Sequence, residues 1–240
     1  MSRAWVIGGT SGIGKACAEL LKKDYVVAAT GYQEFDVQSS IGDWRDILHE
    51  LQFPTHIVYA AGINHLDYIG SMNNLVHQEV IKTNLFGFIN LMEALVDAGK
   101  RTGPWRSRGN YPDPLQTKPS VVAISSDAAE RPLRTSIGYC ASKAGLNMAV
   151  KVAARELGPF GWRINAVSPG MTAGTGMTDY IDERVPQVRG WTHEEAEAYE
   201  CSQEVVPGRI EVREVAQVVK STLEGPAHLN GSIITINGGR

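Results

Sequence analysis

The sequence predicts an α/β protein, a doubly wound parallel sheet of about seven strands with helices on both faces. Three observations carry that expectation. Short apolar runs alternate along the chain with longer stretches of helical periodicity, the order that builds a parallel sheet covered on both sides. The first apolar run, residues 4–7, passes at once into the glycine turn Gly8-Gly9-Thr10-Ser11-Gly12-Ile13-Gly14 and then into a helical stretch at 15–21. Glycine, serine or Pro-Gly also follows several strands directly, at Gly8, Gly62, Ser126 and Pro169-Gly170. Ligands of such sheets bind beyond the carboxyl ends of the strands, so these residues would share one edge.

Strand, glycine turn and helix together form a phosphate-binding context: glycine permits a tight turn and close approach, and free N–H groups at the helix start face an anion. Residues 25–30 form the second strand. Its end, Thr30-Gly31-Tyr32, offers neither an acid for a ribose hydroxyl nor an Arg for a 2′-phosphate. Glu34 is either a ribose ligand or a solvated loop carboxylate. Phe35-Asp36-Val37 reads as a short extra strand, reached before a full second helix could form, and residues 40–52 as a helix. Residues 55–62 are a buried strand ending in Gly62, and 63–75 a loop. The helix at 80–98 carries one polar residue on an apolar background, Asn84, which either satisfies local backbone or holds a functional water. Residues 99–119 are rich in Gly, Pro and Arg and read as a rim loop, an oligomer contact or a disordered stretch.

Residues 121–124 form the next strand. Residues 138–157 are a helix, rich in small residues, that Gly158-Pro159 stops. A strand at 162–167 ends in Ser168-Pro169-Gly170. Residues 171–209 show weak periodicity over a long span, as a lid over a pocket would. A helix at 212–223 and a strand at 232–236 complete the alternation. No linker or internal repeat divides residues 1–240, so one domain is expected.

Composition narrows the function. The 240 residues are 43% hydrophobic and 20% charged with a formal net charge of -3, which gives no reason to expect a nucleic-acid or membrane partner. Cys17, Cys140 and Cys201 are too scattered for a disulfide framework or a metal site, and a cytoplasmic, metal-free protein is expected. Between Ser125 and Lys143 the chain places hydroxyls, a phenol and an ammonium close together. If residues 138 onward are helical, Tyr139 and Lys143 stand one turn apart on one face. A tyrosine loses its proton near pH ~10, and a neighbouring cation lowers that value. A Ser126 hydroxyl could bind the oxygen that the tyrosine protonates. Such a trio suits acid–base work on an alcohol or carbonyl.

These residues together resemble the short-chain dehydrogenase/reductase family over nearly the whole chain. The turn Gly8-x-x-x-Gly12-Ile13-Gly14 is similar to its cofactor turn, and Asp36-Val37 to the pair that lies against the adenine. Asn84, Ser126, Tyr139 and Lys143 match its catalytic tetrad, Ser126 standing 13 residues before Tyr139. Residues 163–170 resemble the strand whose Pro-Gly flanks the nicotinamide, and residues 230–239 the closing strand. The chain departs from the family at Tyr59-Ala60-Ala61-Gly62, where an asparagine is usual, and at Gly174, where a threonine is usual. Thr172 and Thr175 flank that position, and Thr172 is taken as the cofactor contact.

The resemblance implies a Rossmann-type NAD(P)-binding fold and an alcohol dehydrogenase or carbonyl reductase. Tyr139 would exchange the substrate proton, Lys143 would lower its pKa and bind the nicotinamide ribose, Ser126 would hold the substrate oxygen, and Asn84 would anchor a proton-relaying water. Cofactor contacts are expected from Gly8, Thr10, Ser11, Gly12, Ile13, Gly14, Thr30, Gly31, Tyr32, Asp36, Val37, Ala60, Ala61, Gly62, Tyr139, Lys143, Pro169, Gly170 and Thr172. With no acid at residues 30–32 the choice leans to NADP. The substrate is expected to be a medium-sized cyclic or partly apolar alcohol or ketone. Met171, Met177, Tyr180, Ile181, Val185 and Trp191 would be its walls, with polarity from His65, Asp127 and Arg131. A homo-oligomer, dimer or tetramer, would form through the helices at 80–98 and 138–157. The alternatives are a nucleotide-binding sensor or scaffold without turnover, and dehydration or epimerisation on the same fold.

Overall fold

The first strand, β1 (Arg3–Ile7), lies inside the sheet with four of its five residues buried. The computed structural model describes residues 2–71, 73–102, 118–203 and 205–240. The succeeding elements are α1 (Gly12–Leu21), β2 (Val26–Thr30), α2 (Ile41–Glu50), β3 (His56–Tyr59), α3 (Asn74–Ile81) and α4 (Gly87–Thr102). They continue with β4 (Ser120–Ile124), α5 (Ile137–Leu157), β5 (Arg163–Pro169), β6 (Thr172–Ala173), α6 (Gly176–Arg189), α7 (His193–Ser202), β7 (Ile210–Glu211), α8 (Val212–Leu223) and β8 (Ile233–Ile236).

Six strands pair in parallel in the order β2-β1-β3-β4-β5-β8, and β6 pairs with β7 in a separate two-residue ladder. The chain leaves β1 toward β2 on one side and returns to β3 on the other. The crevice between β1 and β3 is therefore the switch point of the sheet. One apolar cluster, with Trp5, Trp44, Phe88 and Leu146, covers the face under α2, α4 and α5. A second, with Val6, Leu21, Val122 and Val219, covers the face under α1 and α8.

The expected strand at Phe35-Asp36-Val37 does not form, and β2 is the edge. Residues 32–34 turn instead, with Phe35 N donating to Gly31 O at 2.9 Å. The Phe35 ring then packs edge-on against Trp5 at 5.9 Å and Trp44 at 4.6 Å. Three aromatic rings thus close the sheet edge where a longer chain would place another strand and helix. Trp44 is fully buried at the start of α2, whose capping box pairs Ser40 with Asp43. Trp44→Ala is expected to cost about 3–5 kcal/mol, because it empties this cluster. A shift of the denaturant midpoint at unchanged slope checks it.

The helix expected over 80–98 is two helices joined by a π-helical turn at Lys82–Phe86. A π turn breaks the ordinary hydrogen-bond ladder and is frequent at functional sites. Here the Thr83 carbonyl accepts from the Tyr59 hydroxyl at 2.5 Å. Segment 171–209 also differs from its weak sequence pattern, because it holds α6 and α7. Thr175 caps α6 by accepting from Thr178 N, and Thr192 with Glu195 forms a capping box on α7. Most of the loop expected at 99–119 lies outside the described residues.

Candidate active site

A cavity of about 590 Å³ opens at the carboxyl ends of β1, β3, β4 and β5. The glycine turn forms one end. Gly8, Thr10, Ser11, Gly12, Ile13 and Gly14 all line it. Gly8 and Gly9 donate to Thr30 O at 2.8 and 2.9 Å, which pins the turn to β2. Gly8 has φ 78°, and a Cβ there would lie 2.7 Å from Ala61 N, so no larger residue fits between β1 and β3. Ser11, at the N-cap of α1, makes no side-chain cap bond, and no acid lies in the first turn. The helix start is open to an anion.

Gly31, Tyr32, Asp36 and Val37 line the cavity beyond β2, and Ala60, Ala61 and Gly62 line it beyond β3. Thr30 does not. Its hydroxyl accepts from Trp5 Nε1 at 3.0 Å and belongs to the aromatic cluster, which corrects the expected cofactor contact. Glu34 bends back so that its Oε2 accepts from Gly31 N at 2.7 Å. Pro169, Gly170 and Thr172 line the wall after β5, as does Thr175. The Thr172 hydroxyl donates to Gly170 O at 3.0 Å.

The four polar residues of the expected tetrad converge. Ser126 lies two residues past β4 as the N-cap of a short 3-10 turn, and its Oγ accepts from Ala128 N at 3.2 Å. Tyr139 and Lys143 are buried on α5, with the Lys143 ammonium 5.7 Å from the Tyr139 ring centre. Lys143 Nζ donates to Ile124 O at 2.8 Å, which ties α5 to the end of β4. Asn84, fully buried in the π turn, clamps the segment after β3: its Oδ1 accepts from Ile63 N at 2.8 Å and its Nδ2 donates to Ile63 O at 2.9 Å. Asn84 Nδ2 also donates to Ser142 Oγ at 3.0 Å, and Ser142 Oγ donates to Tyr139 O at 2.7 Å. A Cβ at Gly62 would stand 3.4 Å from Lys143 Nζ and 3.5 Å from Asn84 Oδ1, so glycine keeps this corner open.

Burial dominates the electrostatics. It pushes the Tyr139 phenol up to about 12; hydrogen bonding to Ser126 pulls the other way and the charge of Asp127 adds to the rise. Burial pulls Lys143 down to about 8. Burial therefore sets the Tyr139 phenol, and the lowering by Lys143 that the sequence suggests is not among the causes. Tyr139 is a phenol at neutral pH.

The far end of the cavity is the expected substrate side. Met171, Met177, Ile181 and Val185 line it, whereas Tyr180 and Trp191 do not. The Tyr180 hydroxyl accepts from Leu66 N at 3.1 Å, and Trp191 packs on Tyr199 at 5.2 Å. Asp127 and Arg131 both line it and are ion-paired at 3.0 Å, while His65 faces Tyr180 instead. The sequence reading missed Arg134, Arg189, Tyr199 and Arg240 on this wall. No spacing marks them: Arg189 and Tyr199 arrive with α6 and α7, Arg134 from the loop before α5 and Arg240 from beyond β8. Among the described residues no group of three His, Cys, Asp or Glu could hold a metal, and no helix is long and apolar enough to cross a membrane.

The parallel sheet, its switch-point glycine turn and the polar cluster beyond β4 define a nucleotide-type α/β fold with a site suited to acid–base chemistry. Residues 45–186 match the family model for short chain dehydrogenase, and the chain belongs to that family. It is 31% identical over 194 residues to a vibriobactin-specific 2,3-dihydro-2,3-dihydroxybenzoate dehydrogenase of Vibrio cholerae, a match covering 77% of this chain and 64% of that protein. It is 29% identical over 260 residues to an L-xylulose reductase of Caenorhabditis elegans, covering 99% of this chain and 94% of that one. In fold it is similar to an actinorhodin polyketide ketoreductase crystallised with NADPH, at a TM-score of 0.83 and 21% identity over 99% of this chain and 96% of that chain. The family is one of NAD(P)-dependent oxidoreductases.

Proposed function

We propose that the chain interconverts a secondary alcohol and a ketone or aldehyde, using NAD(P). One observation carries the reading. A buried phenol, hydroxyl and ammonium meet at one wall of a cavity whose other end is a glycine turn at an open helix N-terminus. Dehydrogenase and reductase relatives support it. The nicotinamide, when bound, supplies or accepts the hydride. Tyr139 gives the proton to the substrate oxygen in reduction and takes it in oxidation, and Ser126 holds that oxygen. Lys143 holds the nicotinamide ribose and stabilises the phenolate. Asn84 is a positioning residue: it fixes the Gly62–Ile63 backbone and, through Ser142, the turn that carries Tyr139. Gly8, Ser11, Gly12 and Ile13 hold the pyrophosphate, and Pro169, Gly170 and Thr172 wall the nicotinamide. A panel of alcohols and ketones with NAD(H) and NADP(H), read by absorbance of the reduced nicotinamide, tests the class. No turnover of any member by either cofactor counts against it.

The lean to NADP rested on the lack of an acid at residues 30–32. The turn after β2 brings Glu34 onto Gly31, and among the described residues no Lys or Arg lines that end of the cavity. Glu34 does not itself line the cavity, but on Gly31 N its carboxylate stands beside that end, where a carboxylate accepts a ribose hydroxyl and repels a 2′-phosphate. We therefore read the site as NAD-preferring, with Kd for NADH expected about tenfold below that for NADPH. Equal values, or tighter NADPH, overturn this. Glu34→Ala is expected to narrow the gap.

A homo-oligomer remains the proposal for assembly. Phe86, Met148 and Val152 are exposed on the helices expected to form it, being 50%, 59% and 46% accessible. Light scattering is expected to give a dimer or tetramer mass, and a monomer mass at micromolar concentration removes the proposal.

A further inference from the structure

We infer that the substrate carries a carboxylate, which Arg189 binds at the end of the cavity away from the glycine turn. The inference rests on reading this cavity as the substrate site. Arg189 is the last residue of α6, and Gly190 follows with φ 68°, a left-handed cap that turns the chain sharply. The turn folds Trp191 and Tyr199 back onto the guanidinium, whose carbon lies 5.0 Å from the Trp191 ring centre and 5.6 Å from that of Tyr199. Arg189 Nη2 donates to Arg134 O at 3.1 Å. The stack and this bond hold the guanidinium in one orientation on the cavity wall.

Held in place, the cation is not neutralised. Among the described residues Arg189 has no carboxylate within ion-pair distance, and its Nε is buried without a hydrogen-bond partner. A charged donor left without an acceptor is costly, and the fold has kept one beside a cavity. The neighbouring arginines are engaged otherwise. Arg131 pairs with Asp127 at 3.0 Å and Arg240 with Glu200 at 3.1 Å. Arg134 donates to the Tyr68 hydroxyl. A preorganised guanidinium that has no carboxylate partner among the described residues fits a single negative charge with two coplanar oxygens. A phosphate dianion fits less well, because Asp127, Glu200 and the exposed Glu79 share the same wall. The apolar side chains of Met177, Ile181 and Val185 beside it suit the carbon frame of such an acid.

Binding is read without turnover, so this inference and the oxidoreductase reading fail separately. The probes are cyclohexanecarboxylate, cyclohexanecarboxamide and cyclohexyl phosphate, titrated calorimetrically into the full chain. The carboxylate is expected to bind at least tenfold tighter than the amide and tighter than the phosphate. Arg189→Met is expected to remove that tenfold preference and leave the amide unchanged, with Arg189→Lys intermediate. Equal binding of acid and amide by the unaltered protein, or no saturable binding of the acid, overturns the inference whether or not the variants fold. Tighter binding of the phosphate overturns the carboxylate assignment.

Discussion

Tyr139→Phe is expected to lower kcat by about 10³-fold while leaving Kd for the nicotinamide dinucleotide within about twofold. The substitution removes one oxygen from a buried ring, and with it the bond to Ser126, and leaves the rest of the frame in place. Ser126 Oγ keeps its bond from Ala128 N, Lys143 keeps Ile124 O, and Asn84 keeps Ile63. The ring itself packs with Val80 and Ala128, contacts that Phe reproduces. What is lost is the proposed proton donor. Because burial holds the phenol up at about 12, Tyr139 is protonated throughout the neutral range and water has poor access to replace it. Steady-state kinetics with a carbonyl substrate and reduced cofactor, alongside a fluorescence titration of the cofactor, separate the two effects. Full activity in the variant would remove Tyr139 from the reaction. A parallel loss of cofactor binding would make it a structural residue.

Much of this site is legible because its residues follow strands. β1, β3, β4 and β5 are short apolar runs, and whatever follows each one must arrive at the same sheet edge. That rule alone collects Gly8, Gly62, Ser126 and Pro169, and helical spacing adds Tyr139 and Lys143. Thr30 shows where the rule stops. It ends a strand at the correct edge, yet its side chain turns away to Trp5, and strand register does not announce which long-range partner a hydroxyl takes. Asp36 and Val37 reach the cavity, but from a turn, because Phe35 gains more by packing on Trp5 and Trp44 than by extending a ladder.

The substrate side was the least legible. Gly174, Gly176 and Pro186 mask the periodicity of α6, although Pro186 lies within the helix. The Thr-x-x-Glu signature at Thr192 and Glu195 is a readable helix start that the weak apolar pattern of α7 obscures. Arg189 acquires meaning only when α7 folds Tyr199 back over it. The sequence singles out Asn84, with backbone or a water as its partner, but does not reveal Ile63 and Ser142 as the groups it binds. Only the π turn, invisible to a pattern of period 3.6, aims the amide at Ile63 and Ser142.

Lys143→Met is expected to change stability and activity in ways that a simple structural role does not combine. Lys143 is 3% exposed, and among the described residues no carboxylate lies within ion-pair distance of it. Burial brings the ammonium down from 10.5 to about 8. Below pH 8 the folded protein therefore carries an unfavourable buried charge. Between pH 8 and 10.5 the folded form gives up the proton while the unfolded chain still holds it, so stability rises with pH. The rise is on the order of 3 kcal/mol for a shift of this size. Tyr139 and Cys17, both pushed up to about 12, lower stability above their unfolded values, and they do so in both proteins. The difference between wild type and variant isolates the lysine. Unfolding midpoints measured from pH 6 to 10 are expected to converge on the variant's side as pH rises, the wild type gaining relative to Lys143→Met. At pH 7 the variant loses the cation proposed to stabilise a phenolate, and kcat is expected to fall by about 10²-fold. Parallel stability curves would mean that the ammonium is not strained by burial. Undiminished kcat would mean that the strain serves no chemistry. A lysine kept in a corner where its charge costs stability, and whose loss is expected to slow turnover by about 10²-fold, fits the proton transfer proposed at Tyr139.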